Sequence, residues 1–213
     1  MTLKIDIYSD VICPWCYLGE SRLKKALESL PKTTPVEINY LPYELNPATA
    51  EAGVDRKKYL EAKYGSRIKE ADQRLKSLGQ AMGIEYNFEK AERIPNTLKA
   101  HRLIWLAGEK GLQEKAVTGL FKAYFTDGID IGDGYELARV ASQWGMDSSE
   151  VLSFLKSDKG VEEVRALEEK AYNLEITGVP FFIFNEKAAV SGAQEVETFT
   201  DILRKMSGDS KVR

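Results

Sequence analysis

Cys13 and Cys16 are the only cysteines in the 213-residue chain, and they bracket Pro14-Trp15 where one sequence pattern gives way to another. Before them, Leu3 to Tyr8 alternates apolar and polar residues, as a half-buried strand does. After them, Tyr17 to Leu30 reads as a helix, with Leu18, Leu23, Leu27 and Leu30 on its apolar face and Pro31 as its stop. Pro14 suits the first helical position, where its missing N–H costs nothing. A crosslink between thiols this close would staple almost nothing, because the stabilisation grows with the loop that is closed. The pair is therefore there for chemistry. At the first turn of a helix, the positive end of the dipole favours a thiolate. Far downstream, Thr177-Gly178-Val179-Pro180 opens the apolar run Phe181 to Phe184, and this is the second feature that constrains the chain.

Composition excludes several classes. Charged residues make up 30% of the chain and the net charge is -3, so nothing marks a partner such as nucleic acid or an anionic membrane surface. No window approaches the ~18 consecutive apolar residues of a membrane span. Residues 1–7 enter a strand pattern without the basic and apolar regions of an export signal, so the expected location is cytoplasmic, where most thiols are kept reduced. A structural zinc site wants four ligands, whereas the chain offers two cysteines and His101. Pro14-Trp15 also fits a helix start better than a zinc knuckle, and no metal is expected.

Val36 to Leu41 is a second strand, and its link to the first through a helix makes a right-handed βαβ unit. From about Asn46 the pattern changes. Asp55 to Met82 reads as one charged helix, and Pro95-Asn96-Thr97 caps another that Gly111 closes. Leu112 to Phe125 follows, then helices opened by Asp133-Gly134, Asp147-Ser148 and Asp158-Lys159-Gly160, the last ending before Thr177. These six helices in a row show no strand signal. Strands resume at Phe181 to Phe184 and Ala188 to Ser191 around the turn Asn185-Glu186-Lys187. Gln194 to Met206 is a closing helix, and the last seven residues read as a frayed polar tail. The order gives an α/β thioredoxin fold with a helical subdomain inserted between the N-terminal βαβ and C-terminal ββα units. The expected division is 1–45 plus 177–213 for the thioredoxin-like domain and 46–176 for an inserted all-helical subdomain.

Four stretches carry a resemblance: Ser9 to Gly19, Pro42 to Pro47, Asn96 to Arg102 and Thr177 to Phe182. With them the chain resembles the FrnE-type branch of DsbA-like thioredoxin oxidoreductases over nearly its whole length. The resemblance implies a cysteine-dependent disulfide oxidoreductase acting on protein or small-molecule thiols and disulfides. The same superfamily holds 2-hydroxychromene-2-carboxylate isomerases and kappa-class glutathione transferases, which typically carry serine in place of Cys13 and use glutathione as cofactor. Keeping both cysteines favours dithiol redox chemistry, with glutathione at most a thiol co-substrate and no other cofactor. Trp15, where the DsbA enzymes have histidine, argues against a strong oxidant. Two other functions stay open: a glutathione-dependent isomerase or transferase, and a redox-linked holdase chaperone. The chain could act as a monomer or a homodimer.

Roles follow from position. Cys13, nearest the helix tip, is the expected nucleophile, and Cys16, one turn further in, resolves the mixed disulfide. Pro180 is expected to be cis, standing against the cysteines and presenting Val179 backbone groups to a substrate strand. Pro14 and Trp15 are candidate substrate contacts, though Trp15 could equally pack over the helix start. Glu44 and Asp10 are candidates for moving the Cys16 proton, against solvated or capping roles. His101 is either a hydrogen-bonded helix histidine or a tuner of thiolate charge near the groove. Asn96 is most simply a helix N-cap, with a groove contact as the other reading.

Overall fold

Alternation in the first strand, β1 (Leu3–Ser9), sends Leu3, Ile5 and Ile7 into the core and leaves Lys4 exposed. The computed structural model describes residues 2–208, so the expected frayed tail lies outside the described residues from position 209 onward. The dithiol helix, α1 (Pro14–Leu27), leads to β2 (Val36–Pro42), which pairs parallel with β1 from Leu3↔Val36 to Ser9↔Pro42. On the other side of β1 lies β5 (Phe181–Phe184), antiparallel, followed by β6 (Ala188–Ser191). The sheet order is β2-β1-β5-β6. Asn185 and Glu186, with φ of 50° and 56°, make the tight turn between the last two strands.

Helices cover the sheet on opposite sides, α1 and α9 (Val196–Ser207) on one and α8 (Val161–Asn173) on the other. The Phe199 ring of α9 meets Phe182 edge-on at 4.8 Å. Helix α8 lies against β2, with Ala171 and the following Ile176 buried against Tyr8. Between β2 and α8 run α2 (Arg56–Tyr64), α3 (Arg67–Ala81), α4 (Leu98–Glu109), α5 (Gln113–Phe125), α6 (Gly134–Ser142) and α7 (Ser148–Leu155). This is the thioredoxin fold with inserted helices.

The structure differs from the sequence expectation in three places, two of them in the inserted segment. Asp55 to Met82 is two helices, because Gly65 at φ 61° ends α2 and turns the chain. The segment is not all helix: β3 (Val54–Asp55) and β4 (Arg93–Ile94) form a two-residue antiparallel ladder, too short for any periodicity to show. Helix α1 begins at Pro14, with Cys13 as its N-cap, and ends three residues before Leu30. Its exit tightens instead, as Ser29 and Leu30 amides bond three residues back to Ala26 and Leu27.

One apolar core runs from the sheet into the helical segment. Tyr17 of α1 stacks on Phe121 at 5.0 Å and meets Tyr86 edge-on at 5.7 Å. Buried Glu20 of the same helix accepts hydrogen bonds from Tyr40 Oη (3.0 Å) and Thr118 Oγ1 (3.1 Å), joining α1, β2 and α5. The dithiol helix is thereby fixed from both sides.

Candidate active site

The chain leaves β1, turns through Asp10 to Ile12, and enters α1 at Pro14. The Cys13 amide donates to the Asp10 carbonyl (3.0 Å), and the Cys13 carbonyl accepts from the amides of Cys16 (3.0 Å) and Tyr17 (3.3 Å). Cys13 occupies the N-cap but makes no side-chain cap bond. Its sulfur is turned instead toward the Val179 carbonyl, 3.8 Å away. The Val179–Pro180 peptide bond is cis. Gly19 lets α1 approach that loop: a Cβ there would stand 3.0 Å from Pro180 Cγ and 3.2 Å from Phe182 Cζ.

The two thiols are free and differ in setting. Cys13 lines a groove of about 440 Å³, together with Pro14, Trp15 and Val179. Cys16 does not reach the groove and is 1% exposed. Burial, followed by its hydrogen bond and charge interaction with Cys13, pushes the Cys16 thiol well above the usual range, while the Asp10 backbone and the Ser9 hydroxyl pull the other way. Groove-side access and back-side protonation are therefore divided between the two sulfurs.

Behind the dithiol lies a line of buried ionisable groups. Asp10, with no exposure, accepts from the amides of Leu45 (2.7 Å) and Ile12 (3.4 Å). His101 Nε2 lies 3.4 Å from Asp10 Oδ1, within ion-pair range but off the line of a hydrogen bond, so that nitrogen is left without a hydrogen-bond partner. Glu44 Oε1 accepts from Arg165, which also donates to Glu168 (2.7 Å). Burial and then the Glu168 charge raise the Glu44 carboxyl, whereas Arg165 and His101 lower it.

The structure thus brings Cys13, Cys16, Pro14, Trp15, Val179 and Pro180 together, with Asp10, Glu44 and His101 in a buried layer behind them. Two expected groove contacts are not there. His101 is 4% exposed and faces Asp10, and it does not line the groove. Asn96 is not the N-cap, which is Thr97. Asn96 still makes the capping bond, since its Oδ1 accepts from Leu98 N (3.0 Å) in the first turn while its Nδ2 donates to the Thr49 carbonyl (3.0 Å), and Thr97 makes no side-chain cap bond. Trp15 packs on the core and also lines the groove, with the Arg74 guanidinium 5.8 Å from its ring.

Sequence reasoning missed Ser9 behind Cys16, and Tyr86, whose hydroxyl donates to the Pro14 carbonyl at 2.6 Å. It also missed the α2 side of the groove, including Arg56, Tyr59, Leu60 and Tyr64. Only Gly19 had a readable sign, a glycine inside an apolar helix pattern, which commonly marks a close approach.

A four-stranded mixed sheet, a dithiol at the tip of its first helix and a proline loop against the thiol define a thioredoxin-type dithiol protein. The chain belongs to the DSBA-like thioredoxin domain family, whose model matches residues 4–204. It is similar to a probable DsbA oxidoreductase from Streptomyces coelicolor, at 32% identity and a TM-score of 0.90, covering 99% of this chain and 92% of that one. The 2-hydroxychromene-2-carboxylate isomerase of Sphingobium xenophagum is 25% identical over 195 residues, 88% of this chain and 91% of that protein. The cytosolic disulfide reductase DsbM from Pseudomonas aeruginosa, solved with GSH, shares the fold at a TM-score of 0.65 and 13% identity, covering 95% of this chain and 98% of that one. No helix among the described residues is long and apolar enough to cross a membrane.

Proposed function

We propose that this protein is a thiol–disulfide oxidoreductase in which Cys13 attacks and Cys16 resolves. The observation that carries the reading is the asymmetry of the pair: Cys13 opens to the groove, while Cys16 lies behind it and holds its proton. In the reducing direction, the Cys13 thiolate attacks one sulfur of a substrate disulfide. That S–S bond breaks, one substrate thiolate leaves, and a Cys13–substrate disulfide forms. Cys16 then gives up its proton and attacks the Cys13 sulfur, which releases the second substrate thiolate and leaves a Cys13–Cys16 disulfide. Two electrons pass to the substrate, and the oxidising direction runs the same steps backward.

The fold supplies three supports. The positive end of the α1 dipole stabilises charge on the Cys13 sulfur and on a departing thiolate. Val179 offers its main chain beside the thiol to an extended substrate, with Pro180 removing an N–H at that point. Asp10 and Glu44 take part in proton movement behind Cys16, with His101 positioned between them as a tuner. The substrates are protein or small-molecule disulfides in the cytoplasm, with glutathione as a thiol co-substrate.

The test is trapping. Cys16→Ser should accumulate mixed disulfides on Cys13, including glutathione adducts seen by intact mass, and Cys13→Ser should accumulate none. Equal trapping in both variants would overturn the assignment. The similarity to an isomerase favours a second reading, a glutathione-dependent isomerase, and a glutathione-dependent absorbance change on a chromene carboxylate would establish it.

A further inference from the structure

We propose that α2, with the first turn of α3, forms a charge-selective cover over Cys13 that is completed by small disulfides carrying carboxylates. This rests on the dithiol reading and names its substrate class. The first argument is packing. No residue of α2 is buried, and its large apolar side chains Tyr59, Leu60 and Tyr64 line the groove over Cys13. Tyr64 is 43% exposed, and Leu45, also lining the groove, is 41% exposed. A nine-residue helix does not hold by itself in water, since helices shorter than ~12–15 residues are marginal without a packed face. What α2 lacks is an apolar occupant on the groove side.

The second argument is charge. Arg56, Lys63 and Arg67 line the groove against a single carboxylate, Asp72, which lies 3.6 Å from Arg56. Lys63 and Arg67 have no carboxylate within 4.0 Å among the described residues. Lys63 Nζ stands 5.5 Å from the ring centroids of both Tyr59 and Tyr64, so aromatic faces hold the cation at the rim. The chain as a whole carries a net -3, which makes this rim a local reversal of sign. The third argument is size. A groove of about 440 Å³ lies in the small-ligand range of ~300–1,000 Å³. A disulfide with its sulfurs at Cys13 and a carboxylate at Lys63 or Arg67 satisfies all three.

The experiment compares two disulfides of similar length, 3,3′-dithiodipropionate and 2-hydroxyethyl disulfide. Binding to the full-length Cys13→Ser/Cys16→Ser protein is measured by calorimetry at low ionic strength. The dicarboxylate should bind roughly fivefold tighter than the diol, as expected for one exposed ion pair at the upper end of the usual range. That preference should fall toward one in Lys63→Gln/Arg67→Gln, whose altered side chains are exposed, and in high salt. Amide exchange over residues 56–64 should slow when the dicarboxylate binds, a change that simple surface attraction would not produce. The ratio of rates for the two disulfides with the unmutated dithiol gives a second readout of the same preference. Equal binding of both disulfides, or tighter binding of an uncharged unfolded peptide than of the dicarboxylate, overturns the proposal. Because binding is read without thiols, loss of redox activity alone would count against the dithiol reading and not against the cover.

Discussion

Helices α1 and α2 border the same groove, yet they are held in opposite ways. In α1, eight of 14 residues are buried, including Glu20 and Arg22 with their polar partners in hand. In α2, none of nine is buried, and the only side-chain cap is Asp55, accepting from Lys58 N at 2.8 Å. The difference teaches where this fold needs precision. The proposed disulfide exchange would require a sulfur placed against the Val179 loop, and α1 is clamped between sheet, α9 and α5. A recognition surface can instead stay shallow and keep its apolar face for the ligand.

The sharpest break would come at the dithiol itself. Cys13→Ser should lower disulfide exchange by at least ~10³-fold, whereas Cys16→Ser should retain the first attack and stop at the mixed disulfide, read by stopped-flow and intact mass. The next effect concerns pH. Burial is the first cause that raises the Cys16 thiol and it persists when Cys13 is in a mixed disulfide, so resolution of a preformed Cys13 mixed disulfide should speed up about tenfold per pH unit and show no plateau through the ordinary thiol range of ~8.5. A plateau below that range would mean the inner thiol is already activated.

Urea unfolding compares the two helices directly. Leu23→Ala on α1 should cost about 2–5 kcal/mol because it leaves a core cavity. Leu60→Ala on α2 should cost under about 1 kcal/mol. Similar costs would erase the contrast. Gly19→Val should cost roughly 1–3 kcal/mol by forcing α1 off Pro180 and Phe182, and should slow exchange as well. The smallest effect is at Glu44. Its carboxyl is raised in the folded state, so the folded protein holds that proton longer than the unfolded chain does. Wild-type stability should therefore decline relative to Glu44→Gln as pH rises from the unfolded value of about 4.3 through the folded one, seen as a difference in urea midpoints.

How much of this was legible depends on the range of each interaction. The helix starts at Asp133 and Asp147 could be read because their carboxylates bond amides two or three residues away (2.8–2.9 Å at Asp133). The break at Gly65 was missed because the charged, apolar-poor pattern continues through it. The capping bond of Asn96 to Leu98 N is local and could be read, whereas its second bond, to Thr49, spans 47 residues and could not. For His101 the sequence leaves open a packed helix histidine or a tuner near the groove, and the structure decides by turning it inward to Asp10 across 91 positions.

The sequence by itself determined the dithiol at a strand-to-helix junction, the βαβ and ββα units around the sheet, and the proline that stands against Cys13. These are local patterns: alternation at period two, an apolar stripe at 3.6, Pro14 at a helix start and Gly178-Val179-Pro180 before a strand. Only the tertiary structure decided which distant side chains line the groove over Cys13, which carboxylates lie behind Cys16, and that α2 leaves its apolar face open over Cys13. The reason is physical: burial and charge pairing depend on side chains from distant segments arriving at one place, and no spacing within a segment encodes which will meet.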